Sequence, residues 1–121
     1  MRPTIFAIAA VVVASACVST STGTKSATVV DAPKPSSPEE VIIYEYKFVP
    51  SNLTVPVGTT VTWINYDVAP HTATYRSFSE EAFDTGNLGA SQLYRHKFRT
   101  AGSYDYICVY HQGMRGTVVV Q

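Results

Sequence analysis

Four side chains in this sequence could jointly hold a metal. Cys108, His111 and Met114 sit together in Tyr106-Ile-Cys-Val-Tyr-His-Gln-Gly-Met-Arg-Gly116, and His71 lies upstream in Ala69-Pro-His-Thr-Ala73. One thiolate, two imidazoles and one thioether form a donor set in which copper can change oxidation state and pass on an electron. Cu(I) is soft and favours sulfur, whereas Cu(II) is harder and favours imidazole. A site offering both kinds of donor serves both states with little rearrangement. Cu(II) with one thiolate and two neutral imidazoles keeps one net positive charge, while Cu(I) with the same donors keeps none. A poorly solvated site therefore favours the reduced form.

Each residue alone has a plainer reading. A free Cys is often a small buried hydrophobe, Met114 could plug a core, and His71 and His111 could be loop histidines. The chain has only 2 Cys, 3 His and 2 Met, so the grouping of four of these seven residues outweighs the separate readings. Zinc is the competing metal, but zinc sites are built from Cys, His and carboxylates rather than Met. The third histidine, His96, is read as structural because the set is complete without it.

Strands must position these groups. Val41 to Phe48 is β-rich, and Val49-Pro50-Ser51-Asn52 reads as a turn. Leu53 to Val57 and Thr59 to Asn65 read as strands broken by Gly58. Tyr66 to Pro70 is a loop that delivers His71, and Thr72 to Tyr75 a short strand. Ser77 to Gly89 reads as an irregular crossover with one helical turn. Ser91 to Arg99, Ser103 to Cys108 and Gly116 to Gln121 complete the strands. Many short strands without a long amphipathic helix predict an all-β sandwich. Side chains alternate along a strand, so Tyr104 and Tyr106 share the inward face with Cys108. Val61, Trp63 and Asn65 share another, with Trp63 in the core. Arg95, Lys97 and Arg99 form a solvated face opposite Tyr94, His96 and Phe98.

The chain of 121 residues allows one domain. Nine basic residues balance nine acidic ones, which argues against nucleic acid as a partner. The N-terminus reads as a signal peptide over residues 1–16: Arg2, an apolar run from Ile5 to Ala14, then Ala14-Ser15-Ala16 as a cleavage signal. Cys17 follows directly and resembles the lipidated cysteine of bacterial lipoproteins. With Cys108 used by the metal, Cys17 would have no disulfide partner. Residues 17–40, rich in Ser, Thr, Pro, Lys and Ala, read as a flexible tether. The protein is expected to be exported, to the periplasm or cell surface, and held to a membrane through that lipid.

The pattern over residues 41–121 resembles the cupredoxins, the type 1 blue-copper proteins, most closely of the amicyanin and plastocyanin kind. The resemblance rests on Phe48-x-Pro50-x-x-Leu53-x-Val55-x-x-Gly58-x-x-Val61-x-Trp63-x-Asn65, on Pro70-His71, on Ala101-Gly-Ser-Tyr-Asp-Tyr-Ile-Cys108 and on Met114-Arg-Gly-Thr-Val-Val-Val120. The Cys-x2-His-x2-Met spacing is the short ligand loop of amicyanins. The resemblance implies a cupredoxin-like Greek-key β-sandwich with one type 1 copper held by His71, Cys108, His111 and Met114. It also implies that Asn65 braces a ligand loop, and that Thr72, in the place where Asn often follows the first histidine, touches the ligands rather than the metal. Val109 and Gln112 likewise depart from the usual Thr or Ser and Pro, so the reduction potential does not carry over.

The implied function is single-electron transfer outside the cytoplasm by a monomer without catalysis of its own. Its partners would be redox proteins such as cytochrome c, a dehydrogenase, or a copper or haem reductase or oxidase. Val68, Ala69, Pro70, Val109, Tyr110 and Gly113 would give the apolar contact face of a brief redox encounter. The alternative is a periplasmic copper-binding or delivery protein, although such proteins use exchangeable Met-rich or His-rich sites and this chain has two Met.

Overall fold

The computed structural model describes residues 31–79 and 81–121. The expected signal segment and Cys17 lie outside the described residues. Eight strands follow one another: β1 (Glu40–Tyr44), β2 (Lys47–Val49), β3 (Asn52–Val55), β4 (Thr60–Asn65), β5 (Thr74–Tyr75), β6 (Leu93–Lys97), β7 (Gly102–Ile107) and β8 (Arg115–Val120). They form two four-stranded sheets, ordered β2-β1-β4-β6 and β3-β8-β7-β5. The pairs β1–β4 and β3–β8 are parallel, and the remaining pairs antiparallel. This is a cupredoxin-type β-sandwich, as the sequence implies.

Alternation sorts the side chains. On β4, Val61, Trp63 and Asn65 are buried while Thr60 is exposed. On β7, Tyr104 and Tyr106 point inward, and Cys108 continues that face just beyond the strand. Trp63 is fully buried at the centre of an aromatic cluster. Its ring stacks on Phe83 at 5.0 Å and meets Tyr106 edge-on at 5.6 Å, with Phe98 at 6.3 Å. Burial pushes the Tyr106 phenol up from its ordinary range. Gly116, opposite Tyr106 in the β7–β8 ladder, gives that ring its space. A Cβ there would lie 2.3 Å from the phenol's tip.

Two local expectations are corrected. Val41 to Phe48 is not one strand. It folds back at Glu45-Tyr46, and Tyr44 pairs with Lys47 across a two-residue turn. Both turn residues have positive φ, 49° and 60°, the geometry whose twist suits a tight hairpin. The segment from Ser77 to Gly89 has no helical turn among its described residues. It is held by isolated bridges, His71 to Leu88 and Thr74 to Asp84, and it plugs Phe83 and Leu88 into the core.

The face pattern of β6 holds: Arg95 and Lys97 are exposed, while Tyr94 and His96 are half-buried. His96 is structural. Its Nε2 lies 3.4 Å from the Glu81 carboxylate, and its ring packs on Phe83 and Phe98. Glu81 accepts the Arg99 N–H at 2.8 Å and so ties the crossover to the end of β6. Burial pushes the Glu81 carboxyl up, but bonds from the Arg99 N–H and the Thr100 hydroxyl, with the neighbouring His96 ring, outweigh it and leave it below the usual 4.5. A lowered carboxyl contributes stability that is present above pH 4.5 and is lost as pH falls through the folded value. Glu81→Gln should therefore lower the denaturant midpoint at neutral pH, with the gap to the parent closing as pH drops below that point. A gap of constant size down to acid pH would contradict the role given to the carboxylate.

Candidate metal centre

The four residues expected as ligands come from two loops at one end of the sandwich. Cys108 leaves the end of β7. The backbone returns at once, with the Cys108 N–H donating to the Met114 carbonyl at 3.1 Å. Inside that closure the Gly113 and Met114 N–H groups both donate to the His111 carbonyl. The short Cys-to-Met spacing thus builds a tight loop that presents Cys108, His111 and Met114 from one hairpin. His71 arrives from the β4–β5 loop. It is pinned by reciprocal backbone bonds with Leu88, 3.0 Å and 2.8 Å.

The donor atoms converge. His71 Nδ1 lies 3.7 Å and His111 Nδ1 3.5 Å from Cys108 Sγ, and the three groups offer ligand atoms all within 4.8 Å of one another. An ion about 2.0–2.3 Å from each donor, at trigonal to tetrahedral angles, requires nitrogen–sulfur separations of roughly 3.5–3.8 Å. The observed separations fit such an ion. Cys108 and His71 are buried, Met114 is 4% exposed, and His111 is half-buried. Three donors are thus shielded and one reaches toward the surface. The Nδ1 atoms face the sulfur in both imidazoles, so metal binding would use that nitrogen and leave each Nε2 for other partners.

The residues around these ligands are also ordered. The Asn65 side-chain amide donates to the carbonyls of Ala69 and Leu88, both at 2.9 Å, and its oxygen accepts the Asp67 N–H at 2.8 Å. It braces the loop carrying His71. The Thr72 N–H points at Cys108 Sγ, 3.4 Å away, and the Thr72 hydroxyl accepts the Val109 N–H at 3.0 Å. Thr72 therefore stitches the two ligand loops together and aims a donor at the sulfur, one of the levers that set a copper–thiolate potential.

Sequence reasoning did not single out Asp67. Its Oδ2 lies 2.8 Å from His71 Nε2, and its carboxylate also accepts the Glu45 and Tyr46 N–H groups at 2.7 Å and 2.9 Å. Burial pushes this carboxyl up, but the Tyr46 and Glu45 amides and then His71 outweigh it, leaving it below its ordinary value. Tyr46 was missed as well. Its ring stands edge-on to both His71 and His111, with centroids 5.1 Å and 4.8 Å away. The available signal was a carboxylate four residues before the histidine, the same spacing that Asn65 uses to reach Ala69.

Several residues expected to flank His111 are exposed, and the Tyr110 ring lies 6.5 Å from the His111 ring. Val68 is 92%, Val109 52% and Tyr110 54% exposed, and the half-exposed Tyr46 joins them. A β-sandwich with a buried cysteine sulfur between two imidazole Nδ1 atoms, followed by a buried Met, defines a mononuclear copper protein of the electron-transfer kind. The chain belongs to the plastocyanin/azurin family of copper-binding proteins, whose sequence profile matches residues 40–121. It is similar to amicyanin from Paracoccus versutus, 35% identical over 102 residues that cover 83% of this chain and 77% of that one. Among solved structures, the reduced form of an amicyanin variant superposes with a TM-score of 0.64 at 36% identity, covering 78% of this chain and 88% of the other. A copper-containing nitrite reductase from Thermus scotoductus gives 0.66 at 35% identity over 74% of this chain, but only 23% of the enzyme. The protein is a blue-copper electron carrier with one copper.

Proposed function

We propose that His71, Cys108, His111 and Met114 are the four copper ligands, and that single electrons enter and leave through the apolar face around His111. The carrying observation is the convergence of Cys108 Sγ with two Nδ1 atoms at 3.5 Å and 3.7 Å in a shielded pocket with one half-exposed imidazole. The small apolar rim suits a short-lived complex with a redox protein, for which cytochrome c, a dehydrogenase, or a copper or haem reductase or oxidase are the candidates. Amicyanin is the relative that favours the carrier reading; the nitrite reductase likeness covers only 23% of that enzyme. The protein itself acts as a monomeric carrier rather than an enzyme.

Export, and a lipid on Cys17, are supported by the apolar run and Ala14-Ser15-Ala16 immediately before that cysteine. The Ser-, Thr- and Pro-rich segment after it would let the domain swivel above a membrane. The intact mass of protein from its native host decides this. Unmodified Cys17 in the mature protein would remove the anchor.

The ligand set is tested at its weakest member. A thioether in the axial position donates modestly and helps Cu(II) more than Cu(I). Met114→Leu should keep copper bound and raise the midpoint potential measured by voltammetry. A potential that stays put or falls would show that Met114 is not the axial ligand.

A further inference from the structure

The Glu45-Tyr46 turn is an unfavourable place for its residues. Two-residue hairpins with φ > 0 at both positions favour Asn and Gly. A side-chain-bearing residue in the left-handed region costs roughly 1–2 kcal/mol. Here Glu and Tyr occupy both positions, at 49° and 60°. Such outliers persist only where the surroundings hold them, and they gather at functional sites. What holds this one is the Asp67 carboxylate, 22 residues away in sequence from Glu45. The same carboxylate meets the imidazole of His71, whose side chain is fully buried. What the turn achieves is the placement of one aromatic ring against two imidazoles at once.

We propose that Asp67 is a positioning residue for the copper site: one carboxylate fixes His71 through Nε2 and also pins the Glu45-Tyr46 turn, so that the half-exposed Tyr46 ring is held against both ligand imidazoles. The inference rests on the ligand assignment above. Accepting a hydrogen bond at Nε2 places the proton there and frees Nδ1 for the metal, and it makes the imidazole a stronger donor. The negative charge and the stronger donor both favour Cu(II) over Cu(I). Because the turn shares that carboxylate, the contact face and the ligand are mechanically joined. A partner that presses on Tyr46 presses on a ring touching His71 and His111, and on a turn bonded to the group that orients His71.

The test uses the full protein, metal-free and copper-loaded. In the metal-free protein, NMR should show a His71 Nε2 proton protected from exchange, and Overhauser contacts from the Tyr46 ring to both imidazoles. Asp67→Ala should abolish the protected proton and those contacts. It should weaken Cu(II) binding by about 10–100-fold, the usual cost of losing such a partner. Cu(I) binding should weaken less, so the potential should rise, by about 59 mV for each tenfold difference between the two states. Glu45→Gln removes a neighbouring charge with no bond to His71 and should leave the potential unchanged, which separates positioning from general charge. Asp67→Glu should recover part of the parent potential. If Asp67 only caps the turn, Asp67→Ala will lower the denaturation midpoint while the potential and Cu(II) affinity stay at parent values, and the proposal is overturned. Tyr46 contacts that survive in Asp67→Ala would break the link to the surface. Loss of blue copper in the parent would instead sink the ligand assignment itself, so the two failures are distinguishable.

Discussion

Cys108→Ser should give a protein that folds and never turns blue. The thiolate is the soft, charged ligand of the set, and its bond to Cu(II) gives the intense visible absorption. A serine hydroxyl occupies nearly the same volume in the shielded place that Cys108 fills, so packing changes little. His71 and His111 remain, and a weak, nearly colourless copper complex is the expected residue of the site. Titration of the metal-free variant with Cu(II), followed by visible absorption, reads this directly. An intense band that survives the substitution would rule out Cys108 as the ligand and with it the proposed centre.

The largest expected loss of stability follows from Trp63→Ala. Trp63 is fully buried and touches rings from three other parts of the chain: Phe83 in the crossover, Phe98 after β6 and Tyr106 on β7. Removing a large buried aromatic costs about 3–5 kcal/mol, the lost transfer energy plus the cavity left behind. A domain of this size loses roughly 4–8 °C in melting temperature per kcal/mol. The midpoint should therefore fall by tens of degrees, and the crossover should loosen first, because Phe83 loses the ring it stacks on. A calorimetric midpoint equal to that of the parent would show that the aromatic cluster is not what joins the two sheets.

Much of this was legible in the sequence. Copper selects its donors by chemical type, so Cys108, His111, Met114 and His71 stood out in a chain with so few Cys, His and Met. Alternation placed Trp63 and Tyr106 in the core because a strand's faces repeat every two residues. Other features depended on long-range contact. The break at Glu45-Tyr46 was hidden because neither residue is a turn former, and the turn is held by Asp67 only after β1 pairs in parallel with β4 and brings residues 45 and 67 together. Asp67 itself looked like a loop residue, since a carboxylate in a loop is usually solvated. The crossover is irregular in the sequence as in the structure, but its buried Phe83 and Leu88 have no periodic pattern to announce them.

His71, Cys108, His111 and Met114 are read as a reversible one-electron copper centre. Its most direct measurement is a redox titration of the copper-loaded protein, followed by visible absorption and by the electron paramagnetic resonance of Cu(II). One copper per chain is expected, with an intense blue band and copper signal that vanish together on uptake of one electron and return in full on oxidation. A colourless copper complex, or copper lost from the protein on reduction, would contradict it and point to copper delivery instead.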